Sequence, residues 1–203
     1  MSAGAIPGDD GRFRAAIAAI DAVNAGDPST EPDGALTAPS ALLYGRRMSA
    51  WLLRLAPEAP EELRLAARAQ HIGRWKIPRD SYPEGRDGYL AWRVALARFH
   101  AETAGDILAG AGYGLECITR VGDLLQKKQL KRDGDVQTLE DVACLVFLET
   151  QFPGFAAKHP DEKVVDILQK TAAKMSAQGL AEAVRLVEHL PEKSRELIAR
   201  ALG

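Results

Sequence analysis

The chain has 203 residues, of which 46% are hydrophobic, so it can bury a core without disulfides or metals to hold it together. Its formal net charge of −2 argues against a dedicated nucleic-acid-binding protein, whose phosphate contacts require a basic excess over the whole domain. The sequence therefore predicts a single domain over residues 1–203, in which any basic site is local.

Cysteine usage and hydropathy indicate a reducing compartment. Cys117 and Cys144 lie in apolar helical patterns without CxxC spacing, which is typical of buried thiols. The first residues lack a basic segment followed by an apolar run, and no stretch reaches the roughly 18 apolar residues that a membrane helix needs. We expect a cytoplasmic protein that does not contact membranes.

Apolar residues at helical spacing predict helices along most of the chain. After a flexible tail over residues 1–12, a first helix lies within 13–28, and a loop rich in Pro, Gly, Ser and Thr covers 28–40. Further helices are predicted at 41–55, 60–72, 87–110, 114–128, 137–151, 160–178, 180–189 and 191–202. No convincing strand alternation occurs, so the predicted fold class is all-α.

Residues 69–93, AQHIGRWKIPRDSYPEGRDGYLAWR, concentrate cationic and aromatic side chains between two predicted helices. Pro78 and Pro83 restrict the backbone here, so the segment should be ordered. Several guanidinium groups on an ordered loop repel one another unless an anion lies among them, and guanidinium geometry suits phosphate or carboxylate. We therefore expect a site that binds an anion through Arg74, Arg79, Arg86 and Arg93.

Three other residues are candidates for acid–base chemistry. His100 follows Arg93 by seven residues and returns to nearly the same helix face, although each residue taken alone is better explained plainly, Arg93 by a surface ion pair and His100 as a buried structural histidine. His71 ends a helix, where a cation is also favourable for dipole reasons. Asp141 follows Thr138 at capping-box spacing, so it is either a first-turn carboxylate or a group that orients a histidine.

Motifs of familiar chemistry do not occur in the sequence. It contains no P-loop, GxGxxG, HExxH or GxSxG pattern and no cysteine cluster. Most lysines within residues 127–132 and 163–174 are expected to be solvated.

From about residue 13 to 190 the chain resembles the family known as domain of unknown function 4202. The segments that carry the resemblance are LLYGRRM (42–48), AARAQHIGRWKIPRDSYPEGRDGYLAWR (66–93), FHA (99–101), LEDVACLVFLE (139–149) and DEKVVDILQKTAAKMS (161–176). The resemblance implies membership of this family, which has no settled activity to transfer.

A weaker similarity is to the HD superfamily of helical metal-dependent phosphohydrolases, in which a histidine, a His-Asp pair and a later aspartate converge on a metal. In this chain Gln70 and His71 occupy the two positions of the His-Asp pair. Tyr44 lies near the position that corresponds to the superfamily's first histidine, and Glu140 and Asp141 correspond to its later acidic motif. This similarity implies an HD-like orthogonal helix bundle, with Tyr44 and Glu140 among its ligand-binding residues. Because Gln70 and Tyr44 are poor metal ligands, no cofactor is expected beyond a weakly bound divalent metal.

Three functions stay open. The first is an enzyme that binds a phosphorylated or other anionic small molecule, such as a nucleotide-like metabolite, and hydrolyses it, with His71 or His100 as acid or base and Asp141 orienting the imidazole. The second is a domain that senses such a ligand without turnover. The third, an association with RNA, is disfavoured by the net charge. The sequence does not predict the substrate, the reaction type or the oligomeric state.

Overall fold

Helices form nearly all the regular structure in the computed structural model, which describes residues 11–202. Within this range the helices are α1 (Gly11–Asn24), α2 (Ser40–Leu55), α3 (Glu61–Ala69), α4 (Gly85–Gly110), α5 (Leu115–Leu125), α6 (Gly134–Val146), α7 (Phe152–Ala156), α8 (Asp161–Ala172), α9 (Ala177–Val187) and α10 (Glu192–Leu202). The all-α fold class is confirmed. None of these helices has both the length and the apolar character required to span a bilayer.

The predicted loop over residues 28–40 is instead a β-hairpin. Strands β1 (Thr30–Asp33) and β2 (Leu36–Pro39) pair antiparallel, with Thr30 opposite Pro39 and Asp33 opposite Leu36. Strands of four residues are too short to show a clear alternation, and the available signal was Gly34, the first of the two turn residues, where glycine allows the positive φ of 63°. Of the predicted flexible tail, residues 1–10 lie outside the described residues, and Gly11 and Arg12 belong to α1.

Two helix boundaries also differ from prediction. The helix expected over 160–178 is interrupted after α8, and α9 starts anew with Ser176 as its N-cap, whose side chain accepts a hydrogen bond from the amide of Gly179. The helix expected over 137–151 changes at Phe147–Gln151 into a π-helical turn, which leads into α7. Such turns often accompany functional sites.

Helix α6 lies at the centre of a hydrophobic core to which α1 through α10 contribute. Val136, Leu139, Val142 and Leu145 are fully buried along it, and it packs on α2, α3, α5 and α9. A helix enclosed on so many sides places any polar side chain it carries either in a cavity or against a buried partner.

Asp141 fastens α9 to α6. Its carboxylate accepts hydrogen bonds from the backbone amide of Ser176, at 2.8 Å, and from the Ser176 hydroxyl. The predicted capping box is wrong, because α6 begins at Gly134 with Asp133 as its N-cap, and the Thr138 hydroxyl donates to the Gly134 carbonyl. Asp141 is therefore an interhelical link.

Gly179 is the residue against which this link packs. A Cβ atom at position 179 would lie 2.6 Å from Cγ of Asp141, a separation that real Cβ contacts do not show. The close approach of α9 to α6 therefore depends on glycine at this position.

We expect Gly179→Ala to destabilise the fold by about 1–3 kcal/mol, because the added methyl group must displace the Asp141 carboxylate from Ser176. Gly134→Ala is the matched control, since among the described residues nothing lies within 4 Å of a Cβ built there. It should change the free energy of unfolding by less than about 0.5 kcal/mol. Urea unfolding of both variants makes the test, and equal effects would contradict the packing argument.

Candidate functional site

Two hydrogen bonds hold the segment between α3 and α4 against α4. His100 Nδ1 donates to the carbonyl of Ile72 at 2.8 Å, and Trp92 Nε1 donates to the carbonyl of Ile77 at 2.9 Å. Because a carbonyl oxygen only accepts, Nδ1 of His100 carries a proton. The segment itself forms two short 3₁₀ turns, Arg74–Lys76 and Arg79–Ser81, so the proline-containing stretch is ordered.

The start of α4 also approaches this segment closely. A Cβ at Gly88 would lie 1.9 Å from the carbonyl oxygen of Pro83, so only glycine allows the first turn of α4 to pack on the preceding chain. Together with the two hydrogen bonds, this contact fixes the side chains of residues 71–74 relative to those of α4.

A cavity of about 480 Å³ lies beside this junction, enclosed by α2, the end of α3, α4, the end of α5, α6 and the end of α8. We call it the first cavity. Its polar lining includes Tyr44, Gln70, His71, Arg74, Tyr89, Arg93, Gln126, Lys127, His100, Glu140 and Lys174. Four cationic side chains thus share this cavity with one carboxylate.

The two histidines of the cavity are neutral at physiological pH. Burial holds the pKa of His71 well below its ordinary value of 6.5, and the neighbouring Arg74 lowers it further. Burial also lowers the pKa of His100, to about 4. The His71 ring stacks on Tyr44 with centroids 3.9 Å apart and lies 6.0 Å from the His100 ring.

His100 Nε2 is a buried acceptor. Neutral His100 with a proton on Nδ1 presents a lone pair at Nε2, and no hydrogen-bond partner for this atom exists among residues 11–202. A buried polar atom without a partner is rare and marks a place where a ligand or water group can donate a hydrogen bond.

Three cations of the first cavity have no carboxylate partner. Within residues 11–202 no carboxylate oxygen lies within 4 Å of the side-chain nitrogens of Arg74, Arg93 or Lys174. The guanidinium of Arg74 lies over the Trp92 ring, 4.7 Å from its centroid, and burial together with Arg93 lowers the pKa of Arg74. Arg93 donates to the Tyr89 hydroxyl at 3.1 Å. The local charge therefore remains positive.

Lys127 is the fourth cation, and it pairs with the buried carboxylate of Glu140. It follows the C-cap of α5 with φ of 55°, and the amides of Lys127 and Lys128 donate to the carbonyls of Leu124 and Asp123. This is a Schellman motif with lysine where glycine is usual. The left-handed backbone there directs the Lys127 ammonium group to Glu140.

The first cavity unites some of the residues proposed from the sequence and leaves out others. His71, His100, Arg74, Arg93, Tyr44 and Glu140 all line it. Asp141 does not, because its carboxylate faces Ser176, and it does not orient a histidine. Arg79 donates to the carbonyls of Tyr82 and Pro83, each at 2.9 Å, so its charge stabilises the loop. Arg86 is exposed in the first turn of α4 and is not part of the lining.

Sequence reasoning missed Lys127 and Lys174, which had been expected to be solvated. Lys174 is exposed but borders the cavity just after α8, and Lys127 reaches it from the end of α5. The available signal was position: each lysine follows the C-terminal end of a helix, where cations are favourable. The local sequence does not indicate that the ends of α5 and α8 face the same cavity.

The fold and the cavity define an all-α domain with a positively charged, histidine-containing cavity. The chain belongs to the family described as Domain of unknown function (DUF4202), which matches residues 14–198 and so confirms the resemblance seen in the sequence. Comparison with curated proteins and with solved structures found no significant match. The similarity to the HD superfamily accordingly stays a prediction.

The described residues offer no grouped set of metal ligands. Within residues 11–202, no three side chains of His, Cys, Asp or Glu are grouped so that they could hold a metal ion. The expectation about cofactors drawn from Gln70 and Tyr44 stays a prediction, which metal analysis of the purified protein can test.

The depressed pKa of His100 predicts a pH-dependent stability. Between the folded value of about 4 and the ordinary value of 6.5, the unfolded chain binds a proton that the folded chain does not. The free energy of unfolding should therefore fall as the pH drops from 6.5 to 4, with about 3 kcal/mol from this group.

His100→Asn removes this titration and keeps an N–H at the position of Nδ1, which can donate to the Ile72 carbonyl. We expect its unfolding free energy, measured by urea denaturation from pH 4.5 to 7.5, to fall less steeply than that of the wild type. His189→Asn, at an exposed position, is the control. Parallel curves for wild type and His100→Asn would contradict the neutral, buried state of His100.

Proposed function

We propose that this protein binds a phosphorylated or otherwise anionic small molecule, of the size of a nucleotide-like metabolite, in the first cavity. The observation that carries the proposal is the placement of Arg74, Arg93 and Lys174 around one space without a carboxylate partner in residues 11–202. Like charges held together in this way repel one another, and an anion among them removes that repulsion. Guanidinium groups bind phosphate oxygens in a bidentate manner.

The shape and polarity of the cavity support a small-molecule ligand. A volume of about 480 Å³ lies in the range of ligand-binding pockets. Leu96, Ala97 and Leu125 supply apolar surface beside the charged groups. The unpartnered Nε2 of His100 supplies an acceptor for a protonated phosphate oxygen, a hydroxyl group or a water molecule.

Hydrolysis of the bound molecule is the second candidate, and His100 Nε2 is the observation that favours it. In such a reaction the arginines would neutralise the charge of the phosphoryl group, and His100 would accept a proton from the attacking water. A base with a pKa of about 4 is weak at neutral pH, so the ligand-free geometry favours binding over turnover. The alternative of a sensing domain without turnover therefore stands beside the hydrolase.

The binding proposal predicts that Arg93→Gln weakens the affinity for inorganic phosphate by roughly tenfold to a hundredfold, the effect of losing a charge-assisted contact of about 1.5–3 kcal/mol. Stability should change by less than about 0.5 kcal/mol, because Arg93 is exposed and bonds only Tyr89 among the described residues. Isothermal titration calorimetry and urea unfolding measure the two effects.

Arg98→Gln is the matched control on the same helix. Arg98 is exposed and pairs with Glu102, away from the cavity, so its replacement should leave phosphate affinity unchanged. If both variants bind phosphate like the wild type, Arg93 does not contact the anion, and if Arg93→Gln unfolds the protein, Arg93 is structural. Either result contradicts the proposal.

Turnover is tested with a panel of phosphate monoesters and nucleotides, assayed for phosphate release with and without added Mg²⁺ or Mn²⁺. Release that His100→Asn abolishes, while that variant still binds phosphate, would support the hydrolase. Binding without release would support the sensing domain. A wild-type protein that neither binds nor hydrolyses any member of the panel would contradict both.

A further inference from the structure

A second cavity, of about 350 Å³, adjoins the first. One side of it is formed by Asp27, Ser29, Glu31 and Ser40, which come from the start of the hairpin and the start of α2. Trp75 and Trp92 also line it. The hairpin that sequence reasoning missed therefore contributes one wall of a ligand-sized space.

The two cavities meet at a shared wall. Tyr44, His71, Arg74 and Gln151 line both of them. Arg74 is therefore within reach of a group in either space. A molecule whose anionic group contacts Arg74 in the first cavity can extend its remaining atoms towards the second.

The two cavities differ in their charge. In the lining of the first, Glu140 is the single carboxylate and it is neutralised by Lys127. The second is lined by the carboxylates of Asp27 and Glu31 together with the guanidinium groups of Arg74 and Arg79, so it has no excess of either charge. The excess of unpaired cations in the first cavity therefore favours a phosphate group there. This difference in charge orients an elongated ligand with its anionic group in the first cavity.

The acceptors of the second cavity retain capacity for a ligand. Asp27 accepts hydrogen bonds from the amides of Ser29 and Ala41, each at 2.9 Å, and Glu31 pairs with Arg47 at 2.5 Å. A carboxylate offers about four acceptor positions, so each of them can still accept from a ligand donor. The hydroxyl of Ser40 has no hydrogen-bond partner within the described part of the chain.

Hydroxyl groups are donors that can bond these acceptors without adding charge, and the tryptophans of the same lining offer apolar surface for a carbon skeleton. We propose that the ligand is a phosphate monoester of a polyhydroxylated carbon skeleton, with its phosphate in the first cavity and its hydroxyl groups against Asp27, Glu31 and Ser40 in the second. This inference rests on the anion site proposed above.

The test compares three compounds by isothermal titration calorimetry: inorganic phosphate, ribose 5-phosphate and n-pentyl phosphate. The two esters have the same number of carbons and differ in their hydroxyl groups. We expect ribose 5-phosphate to bind at least about tenfold more tightly than n-pentyl phosphate, the effect of one or two added hydrogen bonds.

Variants of the second cavity test whether the preference for ribose 5-phosphate arises there. Ser40→Ala and Glu31→Gln should each reduce the ratio of ribose 5-phosphate affinity to n-pentyl phosphate affinity by about twofold to tenfold. Glu58→Gln, in the exposed connection between α2 and α3, is the matched control and should leave the ratio unchanged.

The outcomes separate the two proposals. Phosphate and both esters binding with equal affinity, or n-pentyl phosphate binding more tightly than ribose 5-phosphate, would overturn the second-cavity inference and leave the anion site intact. A preference for ribose 5-phosphate that neither variant reduces would also overturn it. Failure of all three compounds to bind would overturn the anion site and this inference with it.

Discussion

The hydrogen bond from His100 to the Ile72 carbonyl is the contact on which the rest of the site depends. With the bond from Trp92 to Ile77, it fixes the chain after α3 against the long helix α4. His71 and Arg74 come from the first of these elements, and Arg93 and His100 come from the second. A shift of one element along the other would separate the cations and open the cavity. The same bond determines the protonation of His100, because it assigns the ring proton to Nδ1 and leaves Nε2 as an acceptor.

Helix α6 adds the second constraint, through two adjacent carboxylates that serve different purposes. Glu140 faces the first cavity and binds Lys127, whereas Asp141 faces away and holds the start of α9. Successive residues of a helix point about 100° apart, so neighbouring acids on a buried helix must find different partners. The seating of α9 and the placement of the cavity carboxylate therefore depend on the rotation of the same helix. Gly179, on α9, sets how closely the two helices approach.

The helices were predictable because their apolar spacing is a local property of the chain. The hairpin was not predictable, because strands of four residues carry little periodicity. The pairing of residues 30–39 also depends on packing against α2. For the site, the sequence located the cationic segment and both histidines, but it did not distinguish Arg79, which donates to backbone carbonyls, from Arg93, which faces the cavity. That distinction depends on the direction in which each side chain points in the folded structure. The same holds for Lys127, whose approach to Glu140 requires a left-handed backbone that local propensity disfavours.

Two neutral imidazoles beside unpaired guanidinium groups make the proton content of the cavity depend on what occupies it. Arg74 and Arg93 both lower the pKa of His100, and an anion placed between them offsets that contribution. By thermodynamic reciprocity, an anion that raises the proton affinity of the imidazoles is itself bound more tightly once they are protonated. In the proposed complex, binding of the anion and protonation of an imidazole would therefore be cooperative.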